Sequence, residues 1–317
     1  MELLITGANG FVGSSIVSYL ATQQLSDLET KRHSDLENQQ HNRKTIQETQ
    51  PITIRCLVRK TSNVKKLEST INNISQLSKS VSVNFVYGDI REPQTLIDAV
   101  KGVDVVIHCA ALLRTNNVKE YYDVNHIGTK NLLETIRLHN PNLKCLIAIS
   151  SQAVSGPCDT NQKKSVDEKC VPVSHYGKSK LLGETELLKY SKMIKTIVLR
   201  PGPIYGPYDK DMFLYFQYAQ KGFLPVFSKE FFIQFTFIND LANICTKIAE
   251  CITNNSNKID SGIYFVAEEE CYSIDALKEI FSEVVGKNVK VFKIPYFFAY
   301  SYAYMNARLF INILEMN

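Results

Sequence analysis

The feature that most constrains this chain is a glycine-spaced turn at its start. A short apolar run at residues 3–5 leads into T-G-A-N-G-F-V-G at residues 6–13, and a helical pattern continues to Leu20. In such a turn the first glycine permits a sharp bend, the second lets the main chain approach a pyrophosphate, and the third lets the helix pack on the strand. The free N–H groups at the helix start also favour phosphate. We therefore predict dinucleotide contacts from Thr6, Gly7, Asn9, Gly10, Phe11, Val12 and Gly13.

Strand and helix patterns alternate after this turn. The apolar runs predicted as strands are Ile52–Val58, Val83–Val86, Val103–His108, Leu143–Ile149 and Ile197–Leu199. Such alternation gives βαβ units and a parallel sheet. We predict an α/β fold with a doubly wound parallel sheet over residues 1–200. Residues 201–317 are predicted to form mainly a smaller substrate-binding lobe that partly returns to the sheet domain, and the polar run 25–50 is predicted as an insertion.

Composition excludes several classes of function. The 317-residue chain has a net charge of +4 and no basic block interleaved with aromatic residues, so it does not call for a nucleic-acid partner. Its eight cysteines lack the spacing of a zinc site, which predicts no metal site and reduced thiols.

The start of the chain shows no signal-peptide pattern, so we expect a cytoplasmic protein. The aromatic tail, residues 295–314, is predicted as an amphipathic helix packed on the body or on a partner rather than a membrane contact.

Further cofactor contacts are expected at the carboxyl ends of the later strands. Arg59 stands where an acid would take ribose hydroxyls, and an arginine there pairs with a 2′-phosphate, which favours NADP(H) over NAD(H). Asp89 can accept from an adenine amino group, although a turn cap is the simpler explanation for Asp after Gly. The proline-rich loop at residues 200–207 is suited to presenting main-chain groups to a nicotinamide amide. The contacts predicted here are Arg59, Asp89, Ile90, Cys109, Ala110, Ala111, Pro201, Pro203 and Ile204.

A tyrosine and a lysine carry the predicted chemistry. Tyr176 and Lys180 are four residues apart, so they lie on one face of a predicted helix. A neighbouring cation favours the phenolate, which suits proton transfer to or from an alcohol, although the same pattern occurs on ordinary solvated helices. Ser151, at the end of a predicted strand, can share a substrate oxygen with Tyr176. Asn125 either supports the lysine through a water or caps its helix. We predict Ser151, Tyr176 and Lys180 as catalytic residues, and Tyr176, Lys180 and Asn125 also as cofactor contacts.

Together these motifs resemble the extended short-chain dehydrogenase/reductase superfamily, of the NAD(P)-dependent epimerase/dehydratase type. The motifs are T-G-x-x-G-x-x-G at 6–13, G-D-I at 88–90, H-C-A-A at 108–111, S-S-x-x-V-x-G at 150–156, Y-G-K-S-K at 176–180 and R-P-x-x-I-Y-G-P at 200–207. The resemblance implies a Rossmann-type fold, a Ser-Tyr-Lys triad at Ser151, Tyr176 and Lys180, and hydride transfer between nicotinamide C4 and a carbon bearing oxygen. It also implies a homodimer through helices near residues 122–138 and 185–192.

Departures from the family patterns narrow the substrate. Sugar-nucleotide dehydratases of this superfamily have an Asp-Glu pair just after the active-site serine or threonine, where this chain has Gln152 and Ala153, so dehydration is not expected. Many sugar-nucleotide epimerases carry asparagine and arginine where this chain has Pro203 and Ile233. The segment Q-F-T-F-I-N-D at 234–240 looks more like that of the 3β-hydroxysteroid dehydrogenase and dihydroflavonol reductase branch.

Three functions remain open at this point. The first is an NAD(P)-dependent dehydrogenase or reductase of the 3β-hydroxysteroid or flavonol-reductase-like branch, acting on a small-molecule secondary alcohol or ketone. The second is a nucleoside-diphosphate-sugar epimerase with tightly bound NAD, in which Lys210, Lys221 and Lys229 would supply phosphate contacts. The third is a non-catalytic dinucleotide-sensing protein, against which the intact Tyr176 and Lys180 pair argues.

Overall fold

The computed structural model describes residues 1–22, 51–77, 81–158, 163–226, 232–254 and 259–294. The predicted insertion at 25–50 and the predicted tail helix at 295–314 lie outside these residues. Within the described ranges, no helix is both long and apolar enough to cross a membrane. The same ranges contain no group of three or more His, Cys, Asp or Glu side chains that could hold a metal ion.

A seven-stranded sheet forms the centre of the fold. In chain order the strands of the described residues are β1 (Glu2–Thr6), β2 (Ile52–Val58), β3 (Val81–Tyr87), β4 (Val105–His108), β5 (Cys145–Ile149), β6 (Thr196–Pro201), β7 (Ile204–Tyr205), β8 (Phe223–Val226), β9 (Phe232–Ile233), β10 (Thr236–Phe237), β11 (Gly262–Val266), β12 (Tyr272–Ser273) and β13 (Lys290–Lys293). The sheet order is β3-β2-β1-β4-β5-β6-β11, and every pair in it is parallel. The order reverses between β1 and β4, so the ligand crevice of this sheet lies outside the carboxyl ends of these two strands.

The helices cover both faces of the sheet. They are α1 (11–22), α2 (Lys65–Leu77), α3 (Ile97–Val100), α4 (Val118–Tyr122), α5 (Thr129–His139), α6 (His175–Tyr190), α7 (Asp211–Gln220), α8 (Ile238–Thr253) and α9 (Ile274–Val285). A π-helical segment, Asp123–Gly128, joins α4 and α5 into one continuous helix. Short 3₁₀ turns occupy Pro93–Leu96 and Gln152–Val154.

The two core layers follow from the alternation of side chains along β1. Leu3 and Ile5 point into one layer, where α1 and α8 contribute Ile16 and Leu241, among others. Leu4 points into the other layer, which α5 and α6 fill with residues such as Leu133 and Leu187. Since neighbouring strand residues face opposite sides of a sheet, an uninterrupted apolar run in β1 requires cover on both faces. The doubly wound α/β fold predicted from the sequence is therefore confirmed.

A smaller core lies outside the sheet. It consists of residues from α7, β8, α9 and the turn before β13, namely Ala219, Leu224, Val226, Ile274, Phe281 and Val289. The pairing of β8 with β13 is parallel and closes this cluster on one side. The chain beyond residue 200 also returns to the large sheet, because β11 pairs with β6 and α8 packs on the first core layer.

Four strands differ in their bounds from the sequence prediction: β5 begins at Cys145 rather than Leu143, β6 runs over Thr196–Pro201 rather than 197–199, and the shifts of β4 and β3 have identifiable reasons. β4 begins at Val105 rather than at residue 103, because the Asn140 amide donates to the carbonyl oxygens of Val100 and Val103 at 2.8 Å each and holds them in a turn. β3 extends from Val81 to Tyr87, beyond the predicted 83–86. It is the edge strand next to β2, and its outer positions include polar residues that hide the strand pattern.

Candidate active site

The glycine turn lies against the loop that follows β4. Gly7 has a φ of +65°, and a Cβ added there would stand 2.8 Å from the backbone of Ala110. A Cβ at Gly13 would stand 2.3 Å from the Gly7 carbonyl oxygen, so helix and turn could not keep this spacing with any other residue. The Thr6 hydroxyl accepts a hydrogen bond from the Ala110 N–H at 3.1 Å. The structure thus brings residues predicted from two separate motifs together at the switch point of the sheet.

One face of α6 carries the central side chains of the site. Ser174 begins this helix and its hydroxyl accepts the Gly177 N–H at 3.0 Å. Tyr176 and Lys180 follow on the same face, one turn apart. The Ser151 hydroxyl is hydrogen-bonded to the Tyr176 phenol. The Lys180 ammonium, which is nearly buried, donates to the Ile149 carbonyl oxygen at 2.7 Å. The predicted trio of serine, tyrosine and lysine therefore lies together at the carboxyl end of β5.

The charges of this trio differ from the expectation in one respect. Burial raises the pKa of Tyr176 to about 12, and the Ser151 hydrogen bond opposes this rise only in part. Burial also lowers the pKa of Lys180 to about 8, which Glu184 and Cys109 oppose. The sequence predicted that Lys180 would move the phenol toward ionisation near neutral pH. That prediction is wrong, because desolvation of the phenol outweighs the Ser151 hydrogen bond, and Lys180 is not among the groups that shift the pKa of Tyr176.

Asn125 does not cap a helix, which was one of its two predicted roles. It lies inside the π-helical segment, 1% exposed, and its side-chain oxygen accepts the Leu112 N–H at 2.8 Å. Its amide donates to the Leu112 carbonyl oxygen and to the Ser179 hydroxyl, both at 3.0 Å. Asn125 thus joins the loop after β4 to α6. Its predicted support of the lysine through a water stays a prediction.

His108 was not predicted as a site residue, yet it lies at the centre of the buried polar network. Its Nδ1 is 2.7 Å from the Thr6 hydroxyl and its Nε2 is 3.0 Å from the Thr129 hydroxyl. The Thr129 proton is given to the Asn125 carbonyl oxygen at 2.8 Å, so Nε2 must be the protonated nitrogen and Thr6 donates to Nδ1. Burial and the nearby Lys180 charge lower the pKa of His108 to about 3, so the ring is neutral.

The sequence predictions also did not include three buried polar residues near the site, Glu184, Ser150 and Arg200. Arg200 donates from Nε and Nη2 to the two oxygens of Glu184, at 3.0 and 2.7 Å, and both side chains are 2% exposed. The Ser150 hydroxyl donates to the same carboxylate at 2.5 Å. A signal was present in the sequence: Glu184 is four residues beyond Lys180, so an acid on that face of the helix required a buried partner.

A small internal cavity lies behind Lys180, with room for about one water molecule. Its wall is polar on several sides, since His108, Asn125, Ser150 and Glu184 all contribute to it. The cavity connects residues from β4, β5, α5 and α6, and so marks the point where the elements of the site meet.

After β3, the Asp89 side chain is bonded to a neighbouring residue. Its carboxylate accepts from the Arg91 guanidinium at 2.5 Å and from the Arg91 N–H at 2.9 Å, and this hydrogen bonding lowers the pKa of Asp89. The simpler interpretation, a turn cap, is therefore present, and an adenine contact stays a prediction. Arg59 is exposed, and its charge also lowers the pKa of Asp89. The Ile90 side chain is buried in the second core layer, so it leaves only main-chain atoms for the predicted cofactor contact.

The loop after β6 is fixed by two short strands. β7 pairs with β10, and the Pro203 carbonyl oxygen accepts the Thr236 N–H at 3.0 Å. The Gly202 N–H is bonded as well, to the Thr236 hydroxyl at 3.0 Å. These bonds fix the loop that carries Pro201, Pro203 and Ile204, and the loop continues from β6, the strand next to β5. The predicted contact of these residues with a nicotinamide stays a prediction.

The solved structures that resemble this fold include an NAD complex. The UDP-glucose 4-epimerase of Thermus thermophilus in complex with NAD matches with a TM-score of 0.65 and 22% identity, over 93% of this chain and 86% of that one. At this identity the likeness shows the fold alone.

Sequence relatives and a family model place the chain more closely. It is 28% identical to sterol-4-alpha-carboxylate 3-dehydrogenase, decarboxylating, of Mus musculus over 247 residues, which are 74% of this chain and 67% of the mouse protein. The matches to the bovine and human proteins of that name span only about half of their length, 47% and 51%. It is 34% identical to N-acetyl-alpha-D-glucosaminyl-diphospho-ditrans,octacis-undecaprenol 4-epimerase of Escherichia coli O157:H7, over 38% of this chain and 37% of that protein. The model of the NAD dependent epimerase/dehydratase family matches residues 3–260. The chain therefore belongs to the NAD-dependent epimerase/dehydratase family of the extended short-chain dehydrogenase/reductase superfamily, and is an oxidoreductase or an epimerase.

Proposed function

We propose that this protein is an NAD(P)-dependent dehydrogenase that interconverts a secondary alcohol and a ketone on an apolar, sterol-like substrate. The observation that carries the proposal is the hydrogen bond between Ser151 and Tyr176, with the buried Lys180 ammonium held one helical turn further on by the Ile149 carbonyl oxygen, at the carboxyl end of the parallel sheet. The several sterol dehydrogenase relatives support the substrate class.

The proposed roles follow from the ordinary chemistry of these groups. Ser151 orients the substrate oxygen, and Tyr176 exchanges the proton of that oxygen. With its pKa near 12 in this state, the Tyr176 phenol is protonated at neutral pH and suits donation to a ketone. In the oxidative direction the phenol must lose this proton, and a nearby positive charge such as the Lys180 ammonium favours the phenolate. The nicotinamide supplies the hydride chemistry when bound, and the glycine turn, whose close packing on the helix a Cβ at Gly13 would prevent, fits the pyrophosphate of the cofactor.

Exposed apolar side chains on the loop after β4 and on α7 support an apolar substrate. Leu113 lies in the loop after β4, and Phe213 and Leu214 lie on α7; all three are exposed. These elements face one another, because Arg114 forms an ion pair with Asp211, in the first turn of α7, at 2.7 Å. Gln152 and Ala153, in the 3₁₀ turn that follows Ser151, supply no acid for the departure of a hydroxyl group, which argues against a dehydratase.

A second candidate is a nucleoside-diphosphate-sugar epimerase. The match to the Escherichia coli epimerase favours it, as does Lys210, which is exposed just before α7 and free to approach a phosphate. Lys221, by contrast, lies over the ring of Tyr218 at 5.8 Å, and Lys229 is outside the described residues. Epimerisation would return the hydride to the substrate, so it would leave no net change in the cofactor.

One assay separates these candidates. Purified protein is incubated with NAD⁺ or NADP⁺ and a 3β-hydroxysterol, with and without a 4-carboxylate, or with a UDP-sugar, while nicotinamide absorbance and product identity are followed. We expect net reduction of the cofactor with a sterol and none with Tyr176→Phe, which removes only the phenolic oxygen. Isomerisation of the UDP-sugar without net absorbance change would refute the dehydrogenase proposal. A Tyr176→Phe protein with full biological activity would instead favour the dinucleotide-sensing function.

We infer that the cofactor is NAD(H) or NADP(H), with Arg59 meeting the 2′-phosphate of NADP(H). Arg59 is exposed after β2, and Arg91 adds a second positive charge near Asp89. The glycine turn would contact the pyrophosphate of either cofactor. The choice between NAD(H) and NADP(H) must therefore come from the residues after β2, where Arg59 lies.

We also propose a homodimer formed by the outer faces of α5 and α6. Leu138 and Leu188 lie on these helices and are 60% and 45% exposed, together with the exposed Leu182. Paired helices from two copies would cover these side chains in a four-helix contact. Light scattering should then give twice the chain mass, and Leu188→Glu should lower it.

The remaining proposals concern lobes and location. The cluster of α7, β8, α9 and β13 is proposed as the substrate-binding lobe within residues 201–317, with residues 1–200 binding the dinucleotide. A reducing, cytoplasmic location is proposed from the eight free thiols, several of them buried.

A further inference from the structure

Three successive residues at the end of β5 are each held by the same face of α6. The carbonyl oxygen of Ile149 accepts from Lys180 at 2.7 Å, and the Ser150 hydroxyl donates to Glu184 at 2.5 Å. Ser151 is hydrogen-bonded to Tyr176. The three helix residues are spaced by four, so they form one stripe along α6. The end of β5 is therefore attached to this stripe at three points.

Glu184 is the point that links this attachment to a third element. Its carboxylate accepts three hydrogen bonds, one from Ser150 just after β5 and two from Arg200 on β6. All three side chains are at least 95% buried. Burying charges is costly unless they are paired and hydrogen-bonded, and a buried ion pair adds little net stability over apolar packing. A contribution to fold stability therefore explains only weakly why Ser150, Glu184 and Arg200 are buried together here.

Their place is one turn of α6 away from Lys180. Both Glu184 and Lys180 contribute to the wall of the small internal cavity, so the carboxylate and the ammonium share one desolvated space. In such surroundings a neighbouring negative charge favours the charged form of a lysine.

We propose that Glu184 is a positioning residue of this site: it holds Ser150 and Ser151 in register with Tyr176 and supports the positive charge of Lys180. This inference rests on the proposed roles of Ser151, Tyr176 and Lys180. Glu184 itself touches none of the atoms that would react.

Several other groups surround Lys180, and they come from each element packed against it. His108 at the end of β4 is neutral, and the Cys109 thiol after β4 has a pKa raised by burial, so neither carries a charge near neutral pH. Asn125 and Thr129 line the cavity from the π-helical segment and α5 and do not titrate. Arg200 on β6 is positive and is neutralised by Glu184. Among the described residues around this cavity, Glu184 is thus the negatively charged group that favours the ammonium.

The first test removes this charge and keeps the shape. In Glu184→Gln, the Lys180 ammonium loses its negative neighbour and meets an unpaired Arg200. We expect the titration midpoint of Lys180, followed by ¹³C-lysine NMR and assigned with Lys180→Arg, to fall by roughly one pH unit. The matched control is Glu186→Gln on the same helix, whose carboxylate pairs with Lys189 instead and should leave the midpoint unchanged.

A second variant covers the case in which Glu184→Gln does not fold. Ser150→Ala keeps the ion pair of Glu184 and Arg200 and removes only the attachment of β5. We expect a fall in kcat of about 10-fold with little change in KM and no shift of the Lys180 midpoint, because only the alignment of Ser151 is lost. Its melting temperature should stay close to that of the wild type.

The two readouts keep this inference separate from the proposed function. A Lys180 midpoint that moves in Glu184→Gln supports the inference even if no sterol is turned over. An unchanged midpoint in folded Glu184→Gln overturns it, whatever the substrate. Where Glu184→Gln is unfolded, wild-type kcat in Ser150→Ala overturns it.

Discussion

Asn125→Ala should destabilise the protein more than the loss of an ordinary helical asparagine. The Asn125 side chain bonds both backbone groups of Leu112. Its oxygen accepts the Leu112 N–H at 2.8 Å, and its amide nitrogen donates to the Leu112 carbonyl oxygen at 3.0 Å. It also donates to Ser179, whose hydroxyl keeps a second bond to the Tyr176 carbonyl at 2.8 Å. Alanine would therefore leave two main-chain groups without partners and would cost Ser179 one of its two bonds.

The magnitude follows from the burial of these groups. An unsatisfied buried polar group costs roughly 1–3 kcal/mol, and a simple loss of one hydrogen bond about 0.5–1.5 kcal/mol. Leu112 is only partly buried, so water relieves part of the penalty. We expect the free energy of unfolding to fall by about 2–4 kcal/mol, toward the upper range of single substitutions.

Chemical denaturation measures this change, and Asn131→Ala is the matched control. Asn131 lies on α5 and donates to the Ile90 and Arg91 carbonyl oxygens at 3.0 and 3.3 Å from a partly exposed position. Its loss should cost about 0.5–1.5 kcal/mol. Because the loop held by Asn125 also carries Cys109 to Ala111, NADH affinity should fall in Asn125→Ala alone. Equal unfolding midpoints for the two variants would refute the reasoning.

Three further predictions test other parts of the site. Gly13→Ala should weaken NADH binding at least roughly 10-fold, since its Cβ would stand 2.3 Å from a carbonyl oxygen, whereas Gly262→Ala, with nothing nearer than 3.6 Å, should bind NADH normally in a fluorescence titration. Burial lowers the pKa of His108 from 6.5 to about 3, so the unfolded chain binds a proton there first and stability is lost as pH falls through this window. In His108→Gln the free energy of unfolding should therefore fall less steeply with falling pH, by up to about 1.4 kcal/mol per pH unit. The same pH dependence in the variant and the wild type would contradict a neutral His108 ring. Arg59→Ala should weaken NADP(H) more than NAD(H), and equal loss for both would exclude the assigned role.

The parts of the fold that local pattern determines were predictable. The run at residues 3–5 and the glycines after it specify a buried strand and a tight turn, and both are found as expected. The ends of elements were less predictable where a distant side chain determines them. Asn140 ends a helix and fixes the carbonyl oxygens before β4, a contact across about 40 residues that no local pattern displays.

The site divides in the same way. Tyr176 and Lys180 could be paired from their spacing alone, and Ser151 from its place after a strand. The pKa of the Tyr176 phenol could not be predicted in this way, because it depends on burial by elements far along the chain. His108 was overlooked for a related reason: its partners Thr6 and Thr129 come from a strand and a helix more than 20 residues away.

Chemistry and substrate choice rest on contacts of different strength in this fold. The proposed catalytic groups are held by buried bonds between the end of β5, β6 and α6, among them the ion pair of Glu184 and Arg200. The loop after β4 meets α7 through Arg114 and Asp211, whose side chains are 60% and 51% exposed, and an exposed pair contributes at most about 1 kcal/mol. Substitutions on α7 should therefore alter substrate binding without disturbing the geometry around Tyr176. A fold built in this way can exchange one substrate class for another while it keeps the same acid–base chemistry, which agrees with the presence of both sterol dehydrogenases and sugar epimerases among its relatives.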